Sequence, residues 1–196
     1  IALGLGRLLF YLVKGRRELG IRNSKAALEC SEKEAYKLIQ GVFQDLALKF
    51  IEVLRLESWT EEDFNNKIEV EGWDNLEQAH NQDKGIVLFT GHFGNWELLN
   101  VYFSWLDYPT NAIAREYQNE LINQEVWDIR EQRGANIFDL NQVKKAFKAL
   151  LNKELLLILG DQDAHQDGEF VKFFHKLAST PKGPVVLAQK ANGLIL

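Results

Sequence analysis

Cysteine and methionine are almost absent from this sequence. Its 196 residues contain one cysteine, Cys30, and no methionine. A single cysteine excludes an internal disulfide and a zinc site built from several cysteines. The simplest role for Cys30 is that of a small, partly buried apolar residue, and a lone thiol is compatible with a reducing compartment.

An excess of basic residues is also missing. The chain has 23 lysines and arginines against 28 aspartates and glutamates, a net charge of −5. Proteins that bind nucleic acid usually carry a basic excess, so we expect no nucleic-acid partner. The hydrophobic content of 46% and charged content of 26% are those of a folded protein, and the length suffices for one sizeable core.

No apolar run is long enough to cross a bilayer. Residues 1–13 are apolar except for one arginine, and a spanning helix needs about 20 such residues. Lys14, Arg16 and Arg17 follow at once, and a basic cluster after an apolar run is typical of the cytoplasmic side of a membrane. A buried helix with a polar exit is the alternative.

The sequence has no initiator methionine and both its ends are apolar. We interpret it as a fragment of a longer protein. Residues 1–20 are then the end of an N-terminal membrane-anchor helix. Residues 21–196 are a catalytic domain truncated at its C terminus.

Hydrophobic periodicity predicts an α/β fold. Ser31 and Glu34 have the spacing of a capping box, followed by apolar residues at helical intervals as far as Leu54. Strands are predicted at 68–70, 85–90, 110–114, 135–138, 155–159 and 170–174, and further helices at 73–80, 96–105, 119–132, 141–152 and 184–190. The alternation of strands and helices indicates a mostly parallel central sheet flanked by helices. In such sheets ligands bind beyond the carboxyl ends of the strands.

One predicted strand end carries the strongest chemical signal, the heptapeptide GHFGNWE at residues 91–97. Gly91 and Gly94 permit a tight turn and a close approach of a ligand to the backbone. Glu97 falls in the first turn of the next helix, where the helix dipole favours a negative charge. An ionised Glu97 would accept a hydrogen bond from one ring nitrogen of His92 and leave the other free to deprotonate a hydroxyl group.

Several motifs in this order resemble those of the lipid A biosynthesis (lauroyl/myristoyl) acyltransferases. GHFGNWE resembles the HX4(D/E) motif of glycerolipid-type acyltransferases in the form that this family carries. Residues 161–163, DQD, resemble its DQ(D) motif, and residues 170–184 resemble its FVxFFGxxAxTPxGP segment. Arg115 stands where the family has an arginine after a strand, and Arg130 and Arg133 match the end of a family helix. The similarity extends along nearly the whole chain.

The resemblance implies a function and a cellular location. Family members are enzymes of the inner membrane whose active site faces the cytoplasm. They transfer a fatty acyl chain from a thioester, on acyl carrier protein or coenzyme A, to a hydroxyl group of a glycolipid such as a lipid A precursor. No metal and no cofactor beyond the acyl thioester is implied.

The resemblance also implies roles for particular residues. His92 would be the general base and Glu97 the acidic residue that assists it. Arg115 would hold an anionic group, for which a guanidinium is well suited. The implied substrate-binding residues are Asn95, Arg115, Asp161, Gln162 and Thr180.

Two positions depart from the family pattern. His175 stands where the family has the glycine of its FFG sequence, which would change the loop or add a polar group near the site. Glu116 follows Arg115 where the family has a proline, which places a negative charge beside any phosphate that the arginine holds.

Two other classes of function fit parts of the sequence. A metal-dependent hydrolase would use His92, Glu97, Asp161, Asp163 and His165 as ligands of one or two divalent ions. A non-catalytic lipid-binding module would use the apolar content and leave the histidine and glutamate of GHFGNWE without a role. Asp161 and Asp163 also suit a purely structural role in the loop after a strand.

Overall fold

The computed structural model of the chain describes residues 1–114, 124 and 136–196, which form two compact units. The first unit contains Ile1–Leu56 and Val171–Ala178, and the second contains the rest. The described helices are α1 (Ala2–Leu12), α2 (Lys14–Leu28), α3 (Glu32–Arg55), α4 (Glu61–Lys67), α5 (Trp73–His80), α6 (Trp96–Trp105), α7 (Val143–Leu151) and α8 (Gly183–Ala191). The strands are β1 (Ile86–Thr90), β2 (Thr110–Ala114), β3 (Asn136–Asp139), β4 (Leu155–Leu159), β5 (Glu169–Phe173), β6 (Lys176–Thr180) and β7 (Leu194–Ile195).

The first unit is built on contacts between α1 and α3. Phe10 is fully buried, and its ring meets those of Tyr36 and Phe43 edge to face, with centroids 4.9 and 5.5 Å apart. A Cβ atom at Gly6 would lie 2.5 Å from the Cα of Gln44. The absence of a side chain at Gly6 therefore lets the two helix backbones approach closely.

The predicted capping box is confirmed at the start of α3. The hydroxyl oxygen of Ser31 accepts a hydrogen bond from the Glu34 N–H at 3.3 Å, and Oε2 of Glu34 accepts one from the Ser31 N–H at 2.9 Å. Two donors that a helix start leaves unpaired are thereby satisfied.

The outer face of α1 is apolar and exposed. The side chains of Leu3, Leu8 and Leu12 are more than half exposed. Within the described ranges, no helix combines the length and the apolar character needed to cross a bilayer. Residues 1–20 form α1 and the first part of α2, and their role as the end of a membrane anchor stays a prediction.

The second unit contains a five-stranded sheet with the order β3-β2-β4-β1-β7, in which every neighbouring pair is parallel. Helices α7 and α8 pack on one face, and α5 and α6 on the other. This confirms the predicted fold class. Strand β4 lies at the centre, so its side chains are buried on both faces: Leu155 and Leu157 point to one layer and Leu156 to the other.

Most of the predicted elements are present. The helices at 73–80 and 96–105 and the strands at 110–114 and 155–159 have the predicted bounds, and the others shift by one or two residues. The strand predicted at 68–70 is wrong, because Ile68 ends α4 and donates its N–H to the carbonyl of Phe64 at 3.1 Å. Except for residue 124, the helix predicted at 119–132 lies outside the described residues.

Strands β5 and β6 form a separate two-stranded sheet. Only two residues, Phe174 and His175, join them, with φ angles of 45° and 64°. Two left-handed residues in succession are the pattern of a type I′ hairpin turn. Strand β6 was not predicted, because its sequence Lys176–Thr180 lacks a hydrophobic run.

Candidate active site

The alignment of β1 with β4 brings two distant segments of the chain together. Thr90 at the end of β1 pairs with Leu159 at the end of β4, and the N–H of Gly160 donates to the carbonyl oxygen of Thr90 at 2.9 Å. Both strands run in the same direction, so the residues that follow them leave the same edge of the sheet. His92 and Asp161 therefore emerge side by side.

Asp161 contacts His92 through both of its carboxylate oxygens. Oδ1 lies 2.7 Å from Nδ1 of the ring, and Oδ2 accepts a hydrogen bond of 2.7 Å from the backbone N–H of His92. An ionised carboxylate can only accept, so the ring proton must be on Nδ1. In the neutral form of this imidazole, Nε2 is the nitrogen that carries the lone pair.

The environment keeps Asp161 ionised. Burial acts to raise its pKa, but the hydrogen bonds from the backbone N–H and the ring of His92 outweigh it, so the pKa lies below its usual value. A carboxyl group whose pKa falls on folding stabilises the folded state above its ordinary pKa, and that stabilisation is lost as the pH falls through the lowered value.

Two glycines allow this arrangement, as the sequence predicted. A Cβ atom at Gly91 would lie 2.9 Å from Oδ2 of Asp161, so a side chain there would displace the carboxylate. Gly94 has a φ of 48°, which costs a glycine little. Next to it, Asn95 begins α6 and its Oδ1 accepts from the N–H of Leu98 at 3.3 Å. Asn95 is thus a helix cap, and its role in binding substrate stays a prediction.

A cavity of about 250 Å³ opens beside His92, at the carboxyl half of the sheet. Its apolar wall comes from β2, β3, β4 and the residue after β3, and its polar groups come from α6 and the loops after β1 and β4. The lining residues are His92, Trp96, Glu97, Asn100, Ala112, Ile113, Ala114, Ile137, Leu140, Leu157, Leu159 and Gln162. An apolar cleft with a few convergent polar groups is the common form of a small-molecule site.

The histidine ring is held between an aromatic side chain and a polar one. The ring of Trp96 meets it edge to face, with centroids 4.9 Å apart. Nε2 of Gln162 lies 3.5 Å from Nε2 of His92. Nε2 of His92 is therefore on the side where Gln162 lines the cavity, and 35% of the histidine side chain is exposed.

Glu97 is placed differently from the prediction. The carboxylate described on Nδ1 of His92 is that of Asp161, 69 residues away, rather than that of Glu97. Oε1 of Glu97 accepts a hydrogen bond from the indole N–H of Trp96 at 3.2 Å, and Glu97 lines the same cavity. Its position is compatible with contact to a substrate, and its catalytic role stays a prediction.

The other predicted substrate-binding residues fall into two groups. Gln162 lies in the cavity wall, whereas Thr180 ends β6 and is not among the described lining residues. Arg115, Arg130 and Arg133 lie outside the described residues. Their implied roles stay predictions.

Four of the five ligands proposed for a metal site form two separate pairs. His92 contacts Asp161, while Oδ1 of Asp163 accepts from the N–H of His165 at 2.9 Å and Oδ2 lies 3.3 Å from Nδ1 of the same histidine. In the part of the chain that is described, no three histidine, cysteine, aspartate or glutamate side chains lie close enough to hold a metal ion. The metal-dependent hydrolase has no ligand set there.

Sequence reasoning missed Asn100. It lies in α6, is 3% exposed and lines the cavity, and its Oδ1 has no hydrogen-bond partner among the described residues. An unpaired buried acceptor is costly, so a donor from a bound ligand or water would be stabilising there. The available signal was an amide in the otherwise apolar run Leu98–Phe103, three residues after Glu97 and so on the same helix face.

Comparison with known proteins identifies relatives. The family model described as bacterial lipid A biosynthesis acyltransferase matches residues 1–196. The lipid A biosynthesis lauroyltransferase of Escherichia coli (strain K12) is 26% identical over 197 residues, which cover 98% of this chain and 64% of that protein. The palmitoleoyltransferase of the same strain is 25% identical over 195 residues, 98% of this chain and 63% of that protein.

A third relative is named for a different lipid. The phosphatidylinositol mannoside acyltransferase of Mycobacterium tuberculosis (strain CDC 1551 / Oshkosh) is 25% identical over 130 residues, 64% of this chain and 41% of that protein. The chain spans less than two thirds of the length of each of these three relatives.

Proposed function

This chain belongs to the bacterial lipid A biosynthesis acyltransferase family, and we propose that it transfers a fatty acyl chain from a thioester to a hydroxyl group of a glycolipid. The observation that carries the proposal is the state of His92. One ring nitrogen lies 2.7 Å from a carboxylate oxygen, and the histidine lines a cavity with apolar sides.

The proposed reaction uses His92 first as a base and then as an acid. Nε2 removes the proton of the acceptor hydroxyl while its oxygen attacks the carbonyl carbon of the thioester. The tetrahedral intermediate collapses, the carbon–sulfur bond breaks, and the imidazolium returns the proton to the departing thiolate. No covalent acyl-enzyme is required, because the hydroxyl group is itself the nucleophile.

The cavity suits such a substrate pair. The wall that the strands provide is apolar and can contact the first part of an acyl chain. Its side chains include those of Ile137, Leu157 and Leu159, which form no hydrogen bonds. Gln162 and Asn100 offer amide groups near His92. We propose that these two amides orient the polar atoms of the thioester or of the acceptor.

The proposed donor is acyl carrier protein or coenzyme A, and the proposed acceptor is a lipid with sugar hydroxyl groups. The printed names of the relatives include lipid A biosynthesis and phosphatidylinositol mannoside acyltransferases, and both lipid types carry sugars. We propose that the reaction takes place at the cytoplasmic face of the inner membrane, where a lipid acceptor is accessible. The exposed apolar side chains of α1 and the basic residues after it support this location.

The decisive experiment removes the base. We expect His92→Ala in the full-length protein to lower the rate of acyl transfer roughly 10²- to 10⁴-fold, the usual contribution of a general base. Transfer is measured by mass spectrometry with labelled acyl thioesters and a panel of glycolipid acceptors. His80→Ala is the matched control, because His80 lies on α5 and contacts Tyr108 instead of the cavity.

The same assay separates the alternatives. Near-normal transfer by His92→Ala would refute the mechanism. Loss of activity on addition of EDTA would favour a metal-dependent enzyme, and glycolipid binding by the parent without any transfer would favour a lipid-binding module.

A further inference from the structure

We infer that Asp161 is the positioning residue of the site: it fixes the ring proton of His92 on Nδ1 and thereby keeps Nε2 free to act as the base. The inference deepens the proposed acyl transfer and rests on it for its catalytic meaning. Whether the Asp161 carboxylate controls the tautomer of the His92 ring can be tested without measuring acyl transfer.

The geometry of the contact supports the inference. A carboxylate that paired with the ring alone could move together with the ring. Here Oδ2 also holds the backbone N–H of His92, at 2.7 Å, so the same carboxylate is fixed relative to both the main chain and the ring. The close approach depends on Gly91, whose missing side chain leaves room for Oδ2.

The surroundings of the ring identify the groups that compete for its proton. The charged side chains described around the cavity are Asp161, from the loop after β4, and Glu97, from α6. The uncharged neighbours are Trp96, which meets the ring edge to face, and Gln162, at 3.5 Å from Nε2. Asp161 has the short contact, so it decides which nitrogen is protonated.

An amide at position 161 would reverse the tautomer. Asparagine has one oxygen and one NH₂ group, and the backbone N–H of His92 needs the oxygen. The NH₂ group would then face Nδ1, which would have to accept, so the ring proton would move to Nε2. An imidazole with its proton on Nε2 cannot remove a proton from a hydroxyl group at that atom.

A precedent gives the expected size of the effect. Loss of the orienting carboxylate in a serine-protease triad leaves the geometry intact and lowers kcat about 10⁴-fold through the wrong tautomer. We expect Asp161→Asn to lower kcat roughly 10²- to 10⁴-fold, and to change KM by no more than about threefold, because the ring rather than the substrate is affected.

The experiment measures the tautomer and the kinetics on the same variants of the full-length protein. Side-chain ¹⁵N signals of labelled histidine report the protonation of each ring nitrogen, and His92→Ala identifies the signals of His92 by their loss. We expect an Nδ1–H tautomer in the parent and an Nε2–H tautomer in Asp161→Asn. Asp161→Glu should recover part of the Nδ1–H population and part of kcat.

Asp163→Asn is the matched control. It makes the same chemical change two residues away, on a carboxylate that contacts His165, and it should leave the His92 signals and kcat unchanged. A parental tautomer in both Asp161 variants would overturn the inference, as would an equal loss of kcat in Asp163→Asn. If the parent transfers no acyl group, the proposed function fails while the tautomer comparison still decides the role of Asp161.

Discussion

His175 occupies a backbone conformation that favours glycine. It follows Phe174 in the turn between β5 and β6, and their φ angles of 64° and 45° lie in the left-handed region. A side chain costs free energy there because its Cβ approaches the following carbonyl oxygen. The family pattern has a glycine at this position, and the structure gives the physical reason for it.

We therefore expect His175→Gly to stabilise the hairpin by about 1 kcal/mol, an effect limited by the greater freedom of glycine in the unfolded chain. His175→Asn should lie between the two, and His175→Val should destabilise, since a β-branched residue tolerates this conformation poorly. Thermal unfolding of the four proteins gives the order. A lower melting temperature for His175→Gly than for the parent would contradict the assignment of the turn.

At the residue scale, the local motif predicted where His92 lies but not which carboxylate contacts its ring. The glycines of GHFGNWE and the strand before them indicate that His92 is presented at an edge of the sheet. The carboxylate on its ring comes from Asp161, and no spacing rule connects residues 69 positions apart. Only the pairing of β1 with β4 does so, and that pairing depends on the three-dimensional order of the strands.

Helix α3 is stabilised at its start by the reciprocal hydrogen bonds of Ser31 and Glu34. The pKa of Glu34 is lowered, chiefly by the hydrogen bond from the Ser31 side chain. Because this pKa is lowered on folding, the interaction stabilises the folded state at a pH above the ordinary pKa of glutamate. That stabilisation is lost as the pH falls through the lowered pKa.

We expect Ser31→Ala to lower the free energy of unfolding by about 1 kcal/mol, the usual cost of losing an N-cap oxygen. Ser31→Asp is the matched control and should retain most of the stability, because its carboxylate can accept the same backbone N–H. Chemical denaturation at neutral pH measures both. Equal losses in the two variants would show that the cap is not the cause.

At the element scale, the ends of a strand were predictable where polar or turn-forming residues flank it. The apolar runs that became β2 and β4 are bounded by polar or turn residues, and their predicted ends are confirmed. Residues 68–70 alternate like a strand, but they follow α4 and have no neighbouring strand to pair with among the described ones. Alternation alone cannot supply hydrogen-bond partners.

Charge is unevenly distributed over the whole molecule. Residues 1–30 contain six basic and two acidic residues and have a net charge of +4. Since the whole chain has a net charge of −5, the remaining residues have a net charge of −9. The basic residues Lys14, Arg16 and Arg22 lie beside Leu12 and Leu19 at the junction of α1 and α2. A surface that is both basic and apolar attracts anionic phospholipid.

We expect the double variant Arg16→Glu with Arg22→Glu to reduce binding to vesicles that contain phosphatidylglycerol roughly tenfold or more, since each basic residue near an anionic surface contributes about 1 kcal/mol. Lys144→Glu with Lys145→Glu, on α7, makes the same change of charge in the other unit and is the control. Cosedimentation measures both, with phosphatidylcholine vesicles for comparison. Equal losses in the two double variants would assign the effect to net charge alone.

If the proposed mechanism holds, the contact between His92 and Asp161 makes acyl transfer depend on how much of the chain has been synthesised. A nascent polypeptide has the histidine once residue 92 has left the ribosome, but the carboxylate that orients it arrives 69 residues later. Until β4 has inserted between β1 and β2, the imidazole can rotate and exchange its proton freely. Truncated or half-made copies should therefore be inert toward thioesters, and the appearance of activity during refolding would report the moment at which the centre of the sheet closes.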